Sequence, residues 1–163
     1  MSTTVSPPFR PATLLALLAL CATLSACSPS IVASLVPGAG PLVTYTTRGG
    51  ECMNGPCGSS IVIERDGSVH EAAKPPNVLG TVPPDVLAAL DAAIKTTDFA
   101  AIRAVPFTGE CPVNFDGQEQ VYEFGAPAGV ERIASCETAI DPDQPVFVAT
   151  TAALQSVGAL PTP

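Results

Sequence analysis

Six cysteines, one histidine and fifteen carboxylates are the residues of this 163-residue chain best suited to chemistry. A nucleophile–base–acid triad needs a histidine, and His70 is the only one. It lies between Val69 and Glu71 in a stretch with strand character, with Ser68 two residues away on the same side. Nothing near it supplies an oxyanion hole or the strained turn that exposes a nucleophilic serine. The expectation is an exposed hairpin histidine. Cys52 and Cys57 have four residues between them, a spacing zinc tolerates but thioredoxin-like redox pairs do not use. Asp141, Asp143 and Gln144 gather oxygens without the ligand ladder and bidentate glutamate of a calcium loop. Asp143 is expected to cap a helix, and Asp116 to Glu119 to form a turn. These residues predict no catalytic group, no metal ligand and no cofactor, so the chain reads as a non-enzyme.

The four cysteines at 52, 57, 111 and 136 stand apart from the first two. Cys21 lies inside an apolar run from Leu14 to Leu24, and Cys27 follows that run directly. About eleven residues is too short for a membrane span of about 20 and suits the apolar core of a signal peptide, with Arg10 as its only basic residue. Leu24-Ser25-Ala26-Cys27 resembles a bacterial lipobox. The resemblance implies removal of residues 1–26, a diacylglyceryl thioether on Cys27, and membrane anchoring at about 0.8 kcal/mol per buried methylene. Residues 27–41 then form a lipidated N-terminus and flexible tether, rich in Pro and Gly, and residues 42–160 a single domain. Ser28 rather than an aspartate follows the cysteine, which in an enterobacterium-like envelope permits sorting to the outer membrane. The implied address is the extracytoplasmic face, in the periplasm or at the cell surface.

Export changes the reading of the remaining cysteines. Cys52, Cys57, Cys111 and Cys136 are an even set in an oxidising compartment, which predicts two disulfides. Four cysteines allow three pairings, and sequence proximity favours Cys52–Cys57 with Cys111–Cys136. Loss of the leader leaves six basic side chains against fifteen acidic ones, a formal charge of −9. Such a surface repels nucleic acid and anionic lipid headgroups, so nucleic acid is excluded as a partner. Trp is absent, and the core is expected to rest on Leu, Val, Ile and the six Phe.

The elements that must position these residues follow from local pattern. Leu42–Thr47, rich in β-branched residues, reads as a strand. Arg48–Gly58 reads as a dense turn around Asn54-Gly55, crossed by the first disulfide. Ser60–Arg65 and Ser68–Ala72 read as a hairpin joined at Asp66-Gly67. The proline-rich Lys74–Pro84 stretch is expected to end this part of the sheet. A helix follows over Pro84–Lys95, with Leu87, Leu90 and Ile94 as its buried stripe and Asp85 at its positive end. Thr97 or Asp98 starts a short helix whose Phe99 and Ile102 face the core. Glu119–Gly125 and Val130–Cys136 are strands, and a last helix runs from Asp143-Gln144-Pro145 to Val157, stopped by Gly158. The order predicts an α+β domain with about five antiparallel strands, two or three helices on one face, and two disulfides.

Cys111-Pro112-Val113-Asn114-Phe115-Asp116, with Glu131-Arg132 and Cys136 beyond it, resembles the reactive-loop half of the Streptomyces subtilisin inhibitor family. The resemblance covers about 26 residues and implies that Cys111 and Cys136 tether an exposed loop, Pro112 to Asn114, with Val113 and Asn114 flanking the bond offered to a protease. It also implies a five-stranded antiparallel sheet with helices, in keeping with the element order. More broadly, the Arg48-Gly49-Gly50-Glu51-Cys52, Ile61–Gly67 and Cys111–Glu119 stretches resemble those of small bacterial envelope proteins without assigned function. The leading expectation is a lipid-anchored envelope protein that binds or interacts, its partners the membrane through Cys27 and an unknown envelope protein. The alternative is a serine protease inhibitor acting on a secreted protease through the Cys111-tethered loop.

Overall fold

Apolar side chains recur at every second position in the strands, and pairing aligns them into rows on one sheet face. A computed structural model describes residues 40–52 and 55–161. Its sheet has six antiparallel strands in the order β4-β3-β2-β1-β5-β6. They are β1 (Val43–Cys52), β2 (Gly55–Ile63), β3 (Ser68–Glu71), β4 (Val78–Thr81), β5 (Glu119–Ala126) and β6 (Gly129–Ala134). Register sets Val69, Ile63, Val43 and Phe124 in one row and Ile61, Tyr45, Tyr122 and Ile133 in the next. All eight are buried. Three helices, α1 (Pro84–Thr96), α2 (Phe99–Arg103) and α3 (Pro145–Ser156), add Leu90, Ile94, Phe99, Ile102, Val146, Phe147, Ala153 and Leu154 to the same core. The opposite face carries Thr46 and Ser60, whose hydroxyls are 2.8 Å apart. This is the α+β domain that the element order predicts, with one more strand.

The added strand is β4, inside the proline-rich stretch expected to end the sheet. Pro75 and Pro76 turn the chain before the strand begins, and Val78–Thr81, which holds no proline, pairs with β3 at the sheet edge. Val82, just beyond it, is buried. A second difference concerns Arg48–Gly58. The chain does not turn at Gly49-Gly50; both have positive φ, 93° and 79°, and form a bulge between Arg48 and Glu51. A bulge bends a strand without ending it, so β1 continues to Cys52 and pairing resumes at Glu51–Pro56 and Cys52–Gly55.

Helix boundaries follow local chemistry. Asp98 caps α2 by accepting a hydrogen bond from the Ala101 N–H at 3.0 Å. Gly158, at φ 70°, ends α3: its N–H bonds the Gln155 carbonyl and that of Ala159 the Leu154 carbonyl, the paired bonds of a left-handed helix stop. Asp143 does not cap α3, contrary to expectation. Gln144 occupies the cap position with no side-chain bond, while Asp141 Oδ1 accepts from the Asp143 N–H in a tight turn. Pro145 at the first position has no N–H to satisfy, which lessens the need for a capping side chain. Among the described residues no helix is long and apolar enough to cross a membrane.

Candidate functional site

Both disulfides form as paired from sequence proximity, Cys52–Cys57 with Cα atoms 5.3 Å apart and Cys111–Cys136 at 5.1 Å. The first bridge and the loop closed by the second come together, which no local pattern in the sequence announces. The bulge of β1 brings this about. A β-carbon on Gly50 would lie 3.2 Å from the Asp116 carbonyl oxygen and 3.5 Å from Cys57 Cβ. Gly50 thus sits between the first bridge and the loop closed by the second. At Gly49 a β-carbon would come 2.7 Å from Val113 Cγ2, so the missing side chain makes room for Val113.

The loop itself is a 3₁₀ turn, Pro112–Phe115, entered at Cys111 and left at Asp116. The Asn114 N–H bonds the Cys111 carbonyl at 3.0 Å, and the Gly117 N–H the Pro112 carbonyl at 2.8 Å. Asp116, at φ 62°, is the one non-glycine residue with positive φ among those described. Pro112, Val113 and Asn114 are exposed but wound. A protease cleft takes an extended chain, pairing with its backbone as an added strand. The turn presents Val113 and Asn114 differently, and packs Val113 on Gly49. Of the phenylalanines expected in the core, Phe99, Phe124 and Phe147 are buried, Phe107 is half-buried and Phe115 is 65% exposed.

Beside this turn lies an open cleft of about 370 Å³ between Arg48, Asn114, Glu119 and Glu137, near the lower end of ligand-site sizes. Glu119 is the one buried charged residue among those described: its side chain is 4% exposed, while that of its partner Arg48 is 57% exposed. Arg48 Nε donates to Glu119 Oε2, and Glu137, bonded by Arg132 at 3.0 Å, stands on the other side. The Glu119 carboxylate holds the Arg48 guanidinium firmly charged. Removing Arg48 leaves the buried Glu119 carboxylate without this partner, and a buried acceptor left unpaired is destabilising. Arg48→Ala should therefore lower the urea midpoint, and adding Glu119→Gln should recover part of the loss.

His70 is half-buried and engaged, not the exposed residue expected. Its Nδ1 lies 3.0 Å from the Glu71 carbonyl oxygen and its Nε2 3.0 Å from Glu64 Oε1. Both partners are acceptors, so only the doubly protonated ring donates to both. The Glu71 carbonyl first, then the Glu64 carboxylate, raise the His70 pKa above its ordinary 6.5. The folded state thus holds this proton more tightly than the unfolded chain. That stabilisation is complete below the ordinary value and is lost as pH rises through the raised one. The thermal midpoint should fall over that upper window, and His70→Gln should remove this part of the pH dependence. Ser68 is not a nucleophile aimed at the ring, since its hydroxyl donates to Asp66 Oδ1 at 2.7 Å.

A second shallow cavity, of about 440 Å³, lies along β2 where β3 ends, lined by Thr47, Ser59, Ser60 and Glu71. It pairs no nucleophile with a base. Among the described residues no three His, Cys, Asp or Glu side chains cluster as metal ligands do. Cys27 lies outside the described residues. The described residues bring the first disulfide, the bulge of β1 and the Pro112–Phe115 turn together at one end of the sheet. No protein-family model matches the chain, and neither a curated protein nor a solved structure matches it.

Proposed function

We propose that the chain is a lipid-anchored protein of the extracytoplasmic face of a bacterial membrane, whose domain acts by binding rather than by catalysis. The division of labour among its cysteines carries this reading. Four of them close Cys52–Cys57 and Cys111–Cys136, bonds that persist outside the reducing cytoplasm. Cys27 stands apart at the end of Leu24-Ser25-Ala26-Cys27, the lipobox-like stretch. A binding role is supported by what the polar groups do: His70, Ser68 and Glu119 each engage a structural partner. The disulfide-tied end meanwhile offers a stiff surface with an exposed aromatic side chain.

Globomycin, which blocks the peptidase that removes lipoprotein leaders, tests the anchor in cells. The expected result is accumulation of a larger, lipid-bearing precursor in the membrane fraction. Normal processing in the presence of the inhibitor would overturn the proposal.

A further inference from the structure

We infer that the disulfide-tied end docks a cationic polypeptide, with Phe115 as the apolar anchor inside a rim of carboxylates. The inference deepens the binding role proposed above and rests on it. Phe115 is the only exposed aromatic side chain among the described residues. Val113, 39% exposed, lies two residues away on the same turn. The other exposed large apolar residues, Val78, Val105, Val130 and Val148, are scattered singly over β4, the loop after α2, β6 and α3, which is ordinary for a protein surface. Aromatic anchors carry much of the energy of protein interfaces. A turn fixed by a disulfide and by Gly117–Pro112 hydrogen bonding loses little freedom on docking.

Charge selects the occupant. Glu110 and Asp116 border the turn in the chain, and Glu51 follows the Gly50 that packs on the Asp116 backbone; all three are exposed and form no ion pair among the described residues. The two guanidiniums nearby, Arg48 and Arg132, are already matched by Glu119 and Glu137. The rim is therefore negative, which favours a positive partner and speeds its approach. A second copy of this chain, at −8 over the full sequence, meets repulsion, as do nucleic acid and anionic lipid. Position argues against the anchoring bilayer too. The chain enters β1 at Val43 and reaches the bridge at Cys52, about 30 Å away at strand rise.

The test uses the full lipidated chain in phosphatidylcholine vesicles and a labelled lysine-rich peptide carrying phenylalanine, with empty vesicles and a glutamate-for-lysine peptide as controls. Binding is expected to the lysine peptide alone and to weaken with salt. Phe115→Ser should reduce affinity about tenfold or more. Glu51→Gln with Glu110→Gln and Asp116→Asn should do the same and flatten the salt dependence, while Val148→Ser changes nothing. All of these sites are exposed, and circular dichroism verifies that each variant is folded. The inference is overturned by absence of binding, by equal binding of the glutamate peptide, or by unchanged affinity in the Phe115 or the carboxylate variants. Capture by anionic vesicles or self-association through Phe115 would overturn it as well. Cys27→Ala protein, freed of vesicles, should still bind the peptide. Failure of the anchor and failure of the docking surface are thereby distinguished.

Discussion

Phe124→Ala should lower the unfolding free energy of the domain by about 3–5 kcal/mol, the cost of an aromatic ring lost from a packed core. Phe124 is completely buried on β5, where register places it beside Val43. Its ring centroid lies 5.8 Å from Tyr122, 5.2 Å from Phe99 and 6.1 Å from Phe147. It is thus the point where β5, α2 and α3 meet. Strand backbone and three rigid rings surround the vacated space, so collapse into it is limited and the cavity term persists. With total stability typically about 5–15 kcal/mol, the variant should be marginally folded or unfolded at 37 °C. Val130→Ala, at a site 67% exposed on the neighbouring strand, should change stability by less than about 0.5 kcal/mol. Equilibrium urea denaturation checks both. Near-equal effects would contradict the packing described for the core.

Replacing Cys111 and Cys136 together by alanine should cost about 3.5 kcal/mol. The bridge joins residues 25 apart, and closing a loop of that length removes that much freedom from the unfolded chain in the chain-entropy account. The same account gives about 2 kcal/mol for Cys52–Cys57, whose residues are 5 apart. The larger bridge also holds the Pro112–Phe115 turn against Gly49. The double variant should therefore lose stability and, in hydrogen exchange, lose protection at the Gly117 N–H while core β1 amides remain protected under native conditions. Unchanged urea midpoints would show that the turn is held by its packing on the bulge alone.

The fold was legible wherever local chemistry and tertiary demand agreed. Leu90 and Ile94 of the predicted stripe are buried, Asp66-Gly67 turns the chain between β2 and β3, and Asp98 and Gly158 bound their helices as expected. Legibility failed where a residue type has two uses. Gly49-Gly50 signals a turn by composition, yet the pair serves a bulge because β5 and β2 both pair with β1 on either side. The prolines on either side of Val78–Thr81 argue against a strand, but none lies within it, so its four residues keep their N–H groups and pair with β3. Asp143 resembled a cap, and Asp141 took the local hydrogen bond instead.

The candidate site was less legible than the fold. Arg48 and Glu119 are 71 residues apart and meet only because β5 pairs with β1, leaving three strands and two helices between them in the chain. No local pattern announces such a pair. Phe115 looked like core by type, and only the turn that lifts it beside the bulge makes it a surface group. Four cysteines told of two bridges but not that the bridges share one end of the sheet. The address proposed for Leu24-Ser25-Ala26-Cys27 is the opposite case, a reading made wholly from local sequence.

That address is tested most directly by labelling cells with radioactive palmitate while they make the wild-type chain or Cys27→Ala. Label is expected on the wild-type protein in the membrane fraction, with an unlabelled Cys27→Ala protein released from it or retained with its leader. Wild-type protein that is exported, processed and unlabelled would contradict lipid anchoring at Cys27.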